Sequence, residues 1–302
     1  MRVTNKQLLN VVTRSVTLSS EQLLKAQERV ASMKVINRPS DDPAGMNRVL
    51  DYRKKIASID QYLRNITPAK TRVETTVAQL EEVHDLLEDA KNIAISQVSV
   101  DDASARATAA TQVNDIYDGI RNLANTRLSG SYLFSGYDTS TEPFSKNETT
   151  EEVTYNGDSG EIRTILGEGV TLRINAHGNE TFTGSGVTDG VNIFDELKTL
   201  KDALEATPFD SSAVMGQVDQ IEKALTQIEK MTAQQSTVYN RLEQTEDHWI
   251  NLKQTFENAL SDTEDADMAQ VVVELQSQEI AYEMALASAA RVLEKSLLEF
   301  LG

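Results

Sequence analysis

Two adjacent carboxylates, Asp41 and Asp42, are the residues of this chain whose types and spacing come closest to a chemical site. Neighbouring carboxylates can perform acid–base catalysis or bind a hard cation. Here they stand in the segment SDDPAG, residues 40–45, where Asp can accept hydrogen bonds from free backbone N–H groups and Pro43 fits the first turn of a helix. The segment therefore predicts a turn and a helix cap in preference to a catalytic or cation site.

The three histidines give no ligand set. His84, His177 and His248 lie far apart in the chain, and none stands at the paired spacing that zinc sites use. The sequence contains no cysteine, nucleophile elbow, P-loop or dinucleotide glycine fingerprint. We predict no catalytic, cofactor-binding or metal-binding residue, and therefore no enzyme.

Charge and hydropathy exclude two further classes of partner. The 302 residues carry a formal net charge of −18, whereas nucleic-acid binding needs clustered cations. Residues 1–72 have a net charge of +8, but their apolar pattern favours a protein partner. No apolar run approaches the roughly 18 residues that a membrane span requires, and residues 1–24 lack the apolar core of a cleaved signal. We expect neither membrane insertion nor Sec-type export.

The two ends of the chain carry matching apolar stripes of opposite charge. The apolar residues recur at alternating spacings of three and four, which is typical of helices that pack in pairs. Residues 1–40 have a net charge of +5, and residues 261–302 have a net charge of −7. A helix pair made from both termini would satisfy both stripes and much of both charges. The predicted assembly interface consists of Leu9, Val12, Val16, Leu23, Ala26, Val30, Met33, Val272, Leu275, Tyr282, Leu286, Ala289, Leu293, Leu297 and Phe300.

The elements between these ends form a nearly palindromic layout. A sustained helical period over 49–98 predicts a long rod, and Asp101 and Asp102 can cap a third helix. Short alternating runs between 129 and 190 predict a small β region, with Asn156-Gly157 as a tight turn between two strands. Helical periods return over 193–206 and 214–260, and acidic residues 262–267 offer caps for the last helix.

An aromatic cluster marks the passage from helix to β region. Tyr132, Phe134, Tyr137 and Phe144 favour a small hydrophobic core at this point, and a carbohydrate-binding platform is the functional alternative.

Several segments together resemble the flagellin superfamily and, within it, the branch of hook-associated protein 3. They are the opening MRVTN, the passage ANTRLSGSYLFSG at 124–136, the run VTYNGD at 153–158, and the turn motif. Flagellin itself is the nearest alternative, and YLFSG at 132–136 favours the hook-associated branch. The resemblance covers essentially the whole chain, although residues 291–302 are more charged than the family pattern. The turn motif consists of Asn37, Arg38, Pro39, Ser40, Asp41, Asp42, Pro43, Ala44 and Gly45.

The resemblance implies a non-enzymatic structural protein of the bacterial flagellum. It implies export through the flagellar type III pathway without a cleaved signal peptide, an extracellular location, and assembly at the hook–filament junction. The implied partners are hook-associated protein 1, flagellin, further copies of the chain in a ring, and an export chaperone. It also implies terminal segments that are disordered before assembly and then form an inner coiled-coil layer.

The expected fold is mainly α, with long antiparallel helical rods, terminal coiled-coil helices from both chain ends, and a small inserted β domain. We expect residues 1–42 plus 265–302 to form the terminal assembly layer, 43–135 plus 191–264 the rod domain, and 136–190 the outward-facing β domain. A secreted coiled-coil adhesin with residues 136–190 as its binding tip is a second interpretation. An enzyme is the third, and no convergent polar set supports it.

Overall fold

The described part of the chain folds mainly into long helices with three short β-hairpins, which confirms the prediction of a mainly α fold with a small β region. A computed structural model describes residues 2–100, 102–147 and 149–301, with the side chains of all of these except 2–6, 8 and 295–301. The helices are α1 (Arg2–Ser32), α2 (Pro43–Gln97), α3 (Ala103–Ala124), α4 (Gly178–Phe182), α5 (Ile193–Glu205), α6 (Ser211–Glu264) and α7 (Met268–Leu301).

Several helix starts follow the capping chemistry expected from the sequence. The Asp42 carboxylate accepts the N–H of Ala44 at 3.0 Å, and Pro43 is the first residue of α2. Asp102 caps α3 through the N–H of Ser104, whereas Asp101 lies outside the described residues. Asp267 caps α7 through the N–H of Ala269 at 2.9 Å. These caps satisfy backbone donors that a helix end would otherwise leave free.

The chain divides into two compact units. The first consists of residues 1–58 and 251–302, and the second consists of residues 59–250. The three-part division stays a prediction; in the structure, the segment 136–190 shares its unit with residues 59–135 and 191–250.

In the second unit, α2 and α6 run antiparallel. Ion pairs join Lys70 to Glu246 and Lys91 to Glu222. The later residue of α2 therefore pairs with the earlier residue of α6, as antiparallel helices require. The helix α3 packs on α5 beside them. The predicted pair of antiparallel rods is therefore present within this unit.

The core of the second unit joins the helices to the β region through aromatic side chains. Phe134, Phe144, Phe182 and Phe194 are essentially inaccessible to solvent, and neighbouring rings lie 5.1–6.2 Å apart. Such ring pairs add stability beyond the area that they bury. Phe194 belongs to α5, so an isolated 136–190 fragment would lose part of this core.

Not every predicted aromatic residue joins that core. Tyr132 is buried with the Arg127 guanidinium over its ring, 4.2 Å from the ring centroid, and Tyr137 is 65% exposed. Tyr155 was not part of the predicted cluster, yet its ring packs on Phe144 and its hydroxyl donates to the Phe134 carbonyl. Burial raises the pKa of Tyr155 to about 12.

The β region consists of three separate antiparallel pairs within the described residues. One predicted turn is wrong: Asn156-Gly157 does not join two paired strands, because the strand before it, Val153–Tyr155 (β4), pairs with the preceding strand Phe144–Lys146 (β3). The chain continues beside β3 instead, with the N–H of Asn156 donating to the Pro143 carbonyl at 2.8 Å. The pairs are β1 (Arg127–Leu128) with β2 (Ser131–Tyr132), β3 (Phe144–Lys146) with β4 (Val153–Tyr155), and β5 (Arg163–Gly167) with β6 (Val170–Arg173).

The third hairpin covers a smaller core on the rods. Ile66 and Val73 of α2 pack with Leu166 and with Leu242 of α6. The indole N–H of Trp249 donates to the Leu166 carbonyl at 2.7 Å and fixes the hairpin to α6.

Candidate assembly interface

The first unit is organised around two paired turns, which we call the hinge: residues 33–36 after α1 and 264–266 before α7. The N–H of Val35 donates to the Glu264 carbonyl at 2.8 Å, and the N–H of Ala266 donates to the Met33 carbonyl at 2.9 Å. Lys34 and Asp265 form an antiparallel bridge. The end of α1 and the start of α7 are thus held side by side, and because the two helices pack together they run antiparallel.

A buried carboxylate holds the hinge in place. The Glu264 side chain is 6% exposed and accepts ion pairs from Lys34 at 2.6 Å and from Arg53 of α2. A buried charge is tolerated only when it is paired, and two cations satisfy this one. The sequence reasoning missed this cluster, because a single glutamate in an acidic stretch carries no pattern that distinguishes it.

The turn motif at 37–45 completes the hinge without forming a reactive site. Asp41 accepts the backbone N–H of Arg38 at 2.9 Å, and the guanidinium of Arg38 pairs with Glu28. A Cβ at position 45 would crowd the Asp42 carboxylate that caps α2 and the buried Ile36 side chain, so a larger residue would displace one or both. The carboxylates therefore cap and shape the turn, as the sequence predicted.

On α1, the predicted stripe is the less exposed face of the helix. Its described members are half-buried, except that Ala26 is buried and Met33 is 61% exposed. Met33 lies just beyond the helix, with a positive φ of 59°, and it belongs to the hinge. The remaining stripe residues are Leu9, Val12, Val16, Leu23 and Val30.

On α7, the predicted stripe divides between two faces. Leu275, Tyr282 and Ala289 are half-buried, whereas Val272, Leu286 and Leu293 are 40%, 44% and 47% exposed. The side chains of Leu297 and Phe300 lie outside the described residues. The less exposed face of α7 has residues at alternating spacings of four and three, and each exposed stripe residue stands one position after a residue of this face. We call this face the α7 seam, and it consists of Val271, Leu275, Gln278, Tyr282, Ala285, Ala289 and Val292.

The α1–α7 pair buries few of its described side chains and leaves many large apolar side chains exposed to solvent. Among its described side chains, Ala26 and Val271 are buried, and one ion pair, Arg29 to Glu274 at 3.2 Å, joins the two helices. Outside the α7 seam, large apolar side chains face solvent. On α1 they are Val11, Leu18 and Leu24, and on α7 they are Met268, Val272, Val273, Ile280, Met284, Leu286 and Leu293. Apolar surface of this extent marks a site of protein association.

The histidines take structural places in the second unit. His177 is buried and contacts Glu180 and the Gly160 carbonyl. His84 belongs to α2 and contacts Glu229 of α6. The described residues contain no group of three or more acidic or histidine side chains placed to hold a metal ion. Over the same residues, no helix is both long enough and apolar enough to cross a membrane.

Comparison with protein families decides the assignment. The bacterial flagellin N-terminal helical region matches residues 3–139, and the bacterial flagellin C-terminal helical region matches residues 218–301. The chain belongs to the flagellin family. It is a structural component of the bacterial flagellum, and the prediction that it is not an enzyme is confirmed.

Relatives in this family include hook-associated proteins and flagellins. Flagellar hook-associated protein 3 of Escherichia coli is 27% identical over 225 residues, which cover 70% of this chain and 69% of the relative. The Salmonella typhimurium protein of the same name is 27% identical over 240 residues, covering 76% and 73%. A Bacillus subtilis flagellin is 24% identical over 284 residues, covering 88% of each chain.

Solved structures share the fold. A flagellar hook-associated protein from Vibrio parahaemolyticus superposes with a TM-score of 0.67 at 20% identity, covering 74% of this chain and all of that one. The flagellar junction protein FlgL from Legionella pneumophila superposes with a TM-score of 0.60 at 15% identity, covering 71% and 100%.

Proposed function

We propose that this chain is the subunit that joins the hook-associated ring to the flagellin filament, and that its terminal helices are the assembly element. The observation that carries the proposal is the exposed apolar surface of the α1–α7 pair, which a free chain leaves in water. The names of the relatives support the junction role, since two are hook-associated proteins 3 and one solved neighbour is a flagellar junction protein.

The proposed mechanism is coupled folding and assembly. A two-helix pair with few buried side chains gains little free energy from its own packing, because helical stability in proteins comes mainly from a buried face. Neighbouring subunits at a growing end supply apolar surface to Leu18 and Leu24 of α1 and to Ile280 and Leu286 of α7. Ordering is then favoured only on the assembled template.

Charge complements this scheme. The net charges of +5 at residues 1–40 and −7 at residues 261–302 attract the two ends to each other and to the opposite ends of neighbouring copies. Like ends of free chains repel, which opposes association away from the template.

The partners in this proposal are hook-associated protein 1 on one side, flagellin on the other, copies of the chain in a ring, and an export chaperone before assembly. The proposed route is the flagellar type III pathway without a cleaved signal peptide, and the proposed location is extracellular. Within the assembly, residues 1–42 and 265–302 form the inner layer, the rods form the next, and residues 136–190 face outward.

The test is incorporation of charge variants into flagella of cells that lack the native chain. Leu286→Asp places a charge on the exposed α7 surface, and Leu23→Asp places one in the α1 stripe. Each variant is expected to keep its folded rods and to lose incorporation into the junction, with loss of filament growth and motility.

A matched control is Val170→Asp, because Val170 of β6 is 46% exposed and Leu286 is 44% exposed. It introduces the same charge on an exposed apolar residue outside the terminal pair, and it should assemble normally. Normal filament growth in either terminal variant, or equal failure of the control, would overturn the proposal.

A further inference from the structure

A groove of about 640 Å³ lies on the surface of the second unit. One wall is a face of α2, on which Arg64, Pro68 and Arg72 follow at intervals of four residues. The other walls are the turn between β1 and β2 and the start of β5, where Arg163 stands. The volume falls within the roughly 300–1,000 Å³ that small-molecule sites occupy.

The charge of this groove is opposite to that of the chain. Three arginines line it, and its lining includes no aspartate or glutamate, although the whole chain carries a net charge of −18. A guanidinium presents its donors in a planar fork that matches the two oxygens of a carboxylate, sulfate or phosphate. The groove therefore has the donors of an oxyanion site.

Arg72 is the arginine of the groove whose charge is least compensated by the protein. Its Nη2 donates to the carbonyls of Tyr132 and Leu133, both at 3.0 Å, and its Nε is buried without a hydrogen-bond partner. No carboxylate of the described residues pairs with it, and burial lowers its pKa. A desolvated cation held by neutral carbonyls gains more from a bound anion than a solvated one does.

The other two arginines are accessible from solvent. Arg64 is exposed and donates to the neutral amide of Gln61 at 2.9 Å. Arg163 pairs with Glu161 at 2.7 Å, and its side chain is 53% exposed. Both can turn toward a ligand in the groove at little cost, since exposed ion pairs contribute little free energy.

The remaining lining favours a sugar over a bare ion. Ser129 on the β1–β2 turn, Ser131 at the start of β2 and Thr164 on β5 offer hydroxyls, while the exposed Pro68 offers apolar surface for a ring face. A single inorganic anion would use only a small part of this volume. We propose that the groove binds a sugar that carries a carboxylate or sulfate group, with Arg72 and Arg64 contacting the oxyanion.

Calorimetric titration of the full-length monomer at low salt tests this proposal. The probes are a sulfated chondroitin tetrasaccharide, its desulfated counterpart that keeps the uronate carboxylates, and neutral maltotetraose. We expect at least one anionic probe to bind roughly tenfold or more tightly than maltotetraose, a difference that follows from charge-assisted hydrogen bonds. The first two probes distinguish sulfate from carboxylate as the recognised group.

Variants locate the binding. The double variant Arg64→Gln, Arg163→Gln changes two exposed residues and should weaken anionic binding about tenfold. Arg72→Lys keeps the charge but loses the fork, and it should also weaken binding. The control is Arg48→Gln, an exposed arginine on the same helix outside the groove, which should leave binding unchanged.

Circular dichroism confirms that each variant is folded before titration. Equal affinity for maltotetraose, equal weakening by the Arg48 control, or no binding of either anionic probe at millimolar concentration would each overturn the proposal.

Discussion

The terminal helix pair and the core of the second unit use the same element, a long amphipathic helix, with opposite results. In the second unit, Phe144, Phe182 and Phe194 interlock across α4, α5 and the hairpins and are inaccessible to solvent. In the terminal pair, described side chains of the stripes are mostly half-buried, and large apolar residues face water. The proposed function requires this difference, because it assigns independent stability to the second unit and assigns completion of the terminal pair to neighbouring subunits.

The largest effect is expected when an aromatic ring is removed from the core of the second unit. Phe182→Ala should lower the free energy of unfolding of the monomer by ~3–5 kcal/mol, because the ring is fully buried among three other rings. Urea unfolding followed by circular dichroism measures the loss. A loss below ~1 kcal/mol would show that this core is not what stabilises the unit.

Among the described side chains of the terminal unit, the buried charged group is Glu264 of the hinge. Glu264→Gln removes the charge that Lys34 and Arg53 share, and it should lower local stability by about 1–2 kcal/mol, less than for a fully buried pair because both cations are partly solvated.

Hydrogen exchange at the amides of Val35 and Ala266 measures this effect, with about tenfold faster exchange expected per 1.4 kcal/mol. Glu28→Gln is the control, since it breaks the exposed pair with Arg38 and should change exchange very little. Equal effects of the two variants would remove the special role of Glu264.

Truncation of a residue in the α1 stripe tests how much the terminal pair contributes to the stability of the free monomer. Val16→Ala should cost the free monomer less than ~1 kcal/mol, because Val16 is only half-buried and the helix pair has little packing to lose. The same variant should reduce incorporation into flagella much more than it reduces monomer stability. A monomer loss comparable to that of Phe182→Ala would contradict the account.

The smallest expected effect concerns acid stability of the β region. The backbone N–H groups of Tyr137 and Gly160 donate to Asp158 and lower its pKa below the ordinary value. A lowered pKa contributes stability that is complete above the unfolded pKa of about 4 and is lost as pH falls through the folded pKa.

Asp158→Asn should therefore lower the melting temperature at pH 7, and the difference from the native chain should narrow as the solution is acidified below about pH 4. A difference that stays constant between pH 7 and pH 3 would show that the carboxylate charge contributes nothing.

The rods could be predicted closely from the sequence, because one buried face imposes one period. The residues of the period predicted over 49–98 all lie on half-buried or buried positions of α2 or directly after its end: Val49, Tyr52, Ile56, Ile59, Leu63, Ile66, Val73, Val77, Leu80, Leu87, Ala94 and Val98. The α7 seam could not be read in the same way, since Val271, Val272 and Val273 are all apolar and periodicity does not choose among faces. Gln278 and Ala285 on the seam carry a weaker signal than the exposed Leu286.

The hinge and the groove were beyond sequence reasoning for a different reason. Glu264, Lys34 and Arg53 come from three separate segments, and so do Arg64, Ser131 and Arg163. Nothing in their local spacing signals that the fold brings them together. The prediction of a hairpin turn at Asn156-Gly157 was wrong because the partner of β4 depends on strand pairing, which is a tertiary property that local sequence does not determine.

Hydrogen exchange on the purified monomer, followed by peptide, tests the central claim most directly when it is repeated on an assembled hook-side end. Coupled folding predicts fast exchange in peptides from within α1 and α7 of the free chain, slower exchange at the hinge and in 59–250, and protection of the α1 and α7 peptides only on the assembled end. Protected terminal peptides in the free monomer would mean that the helix pair is stable alone, which contradicts the account.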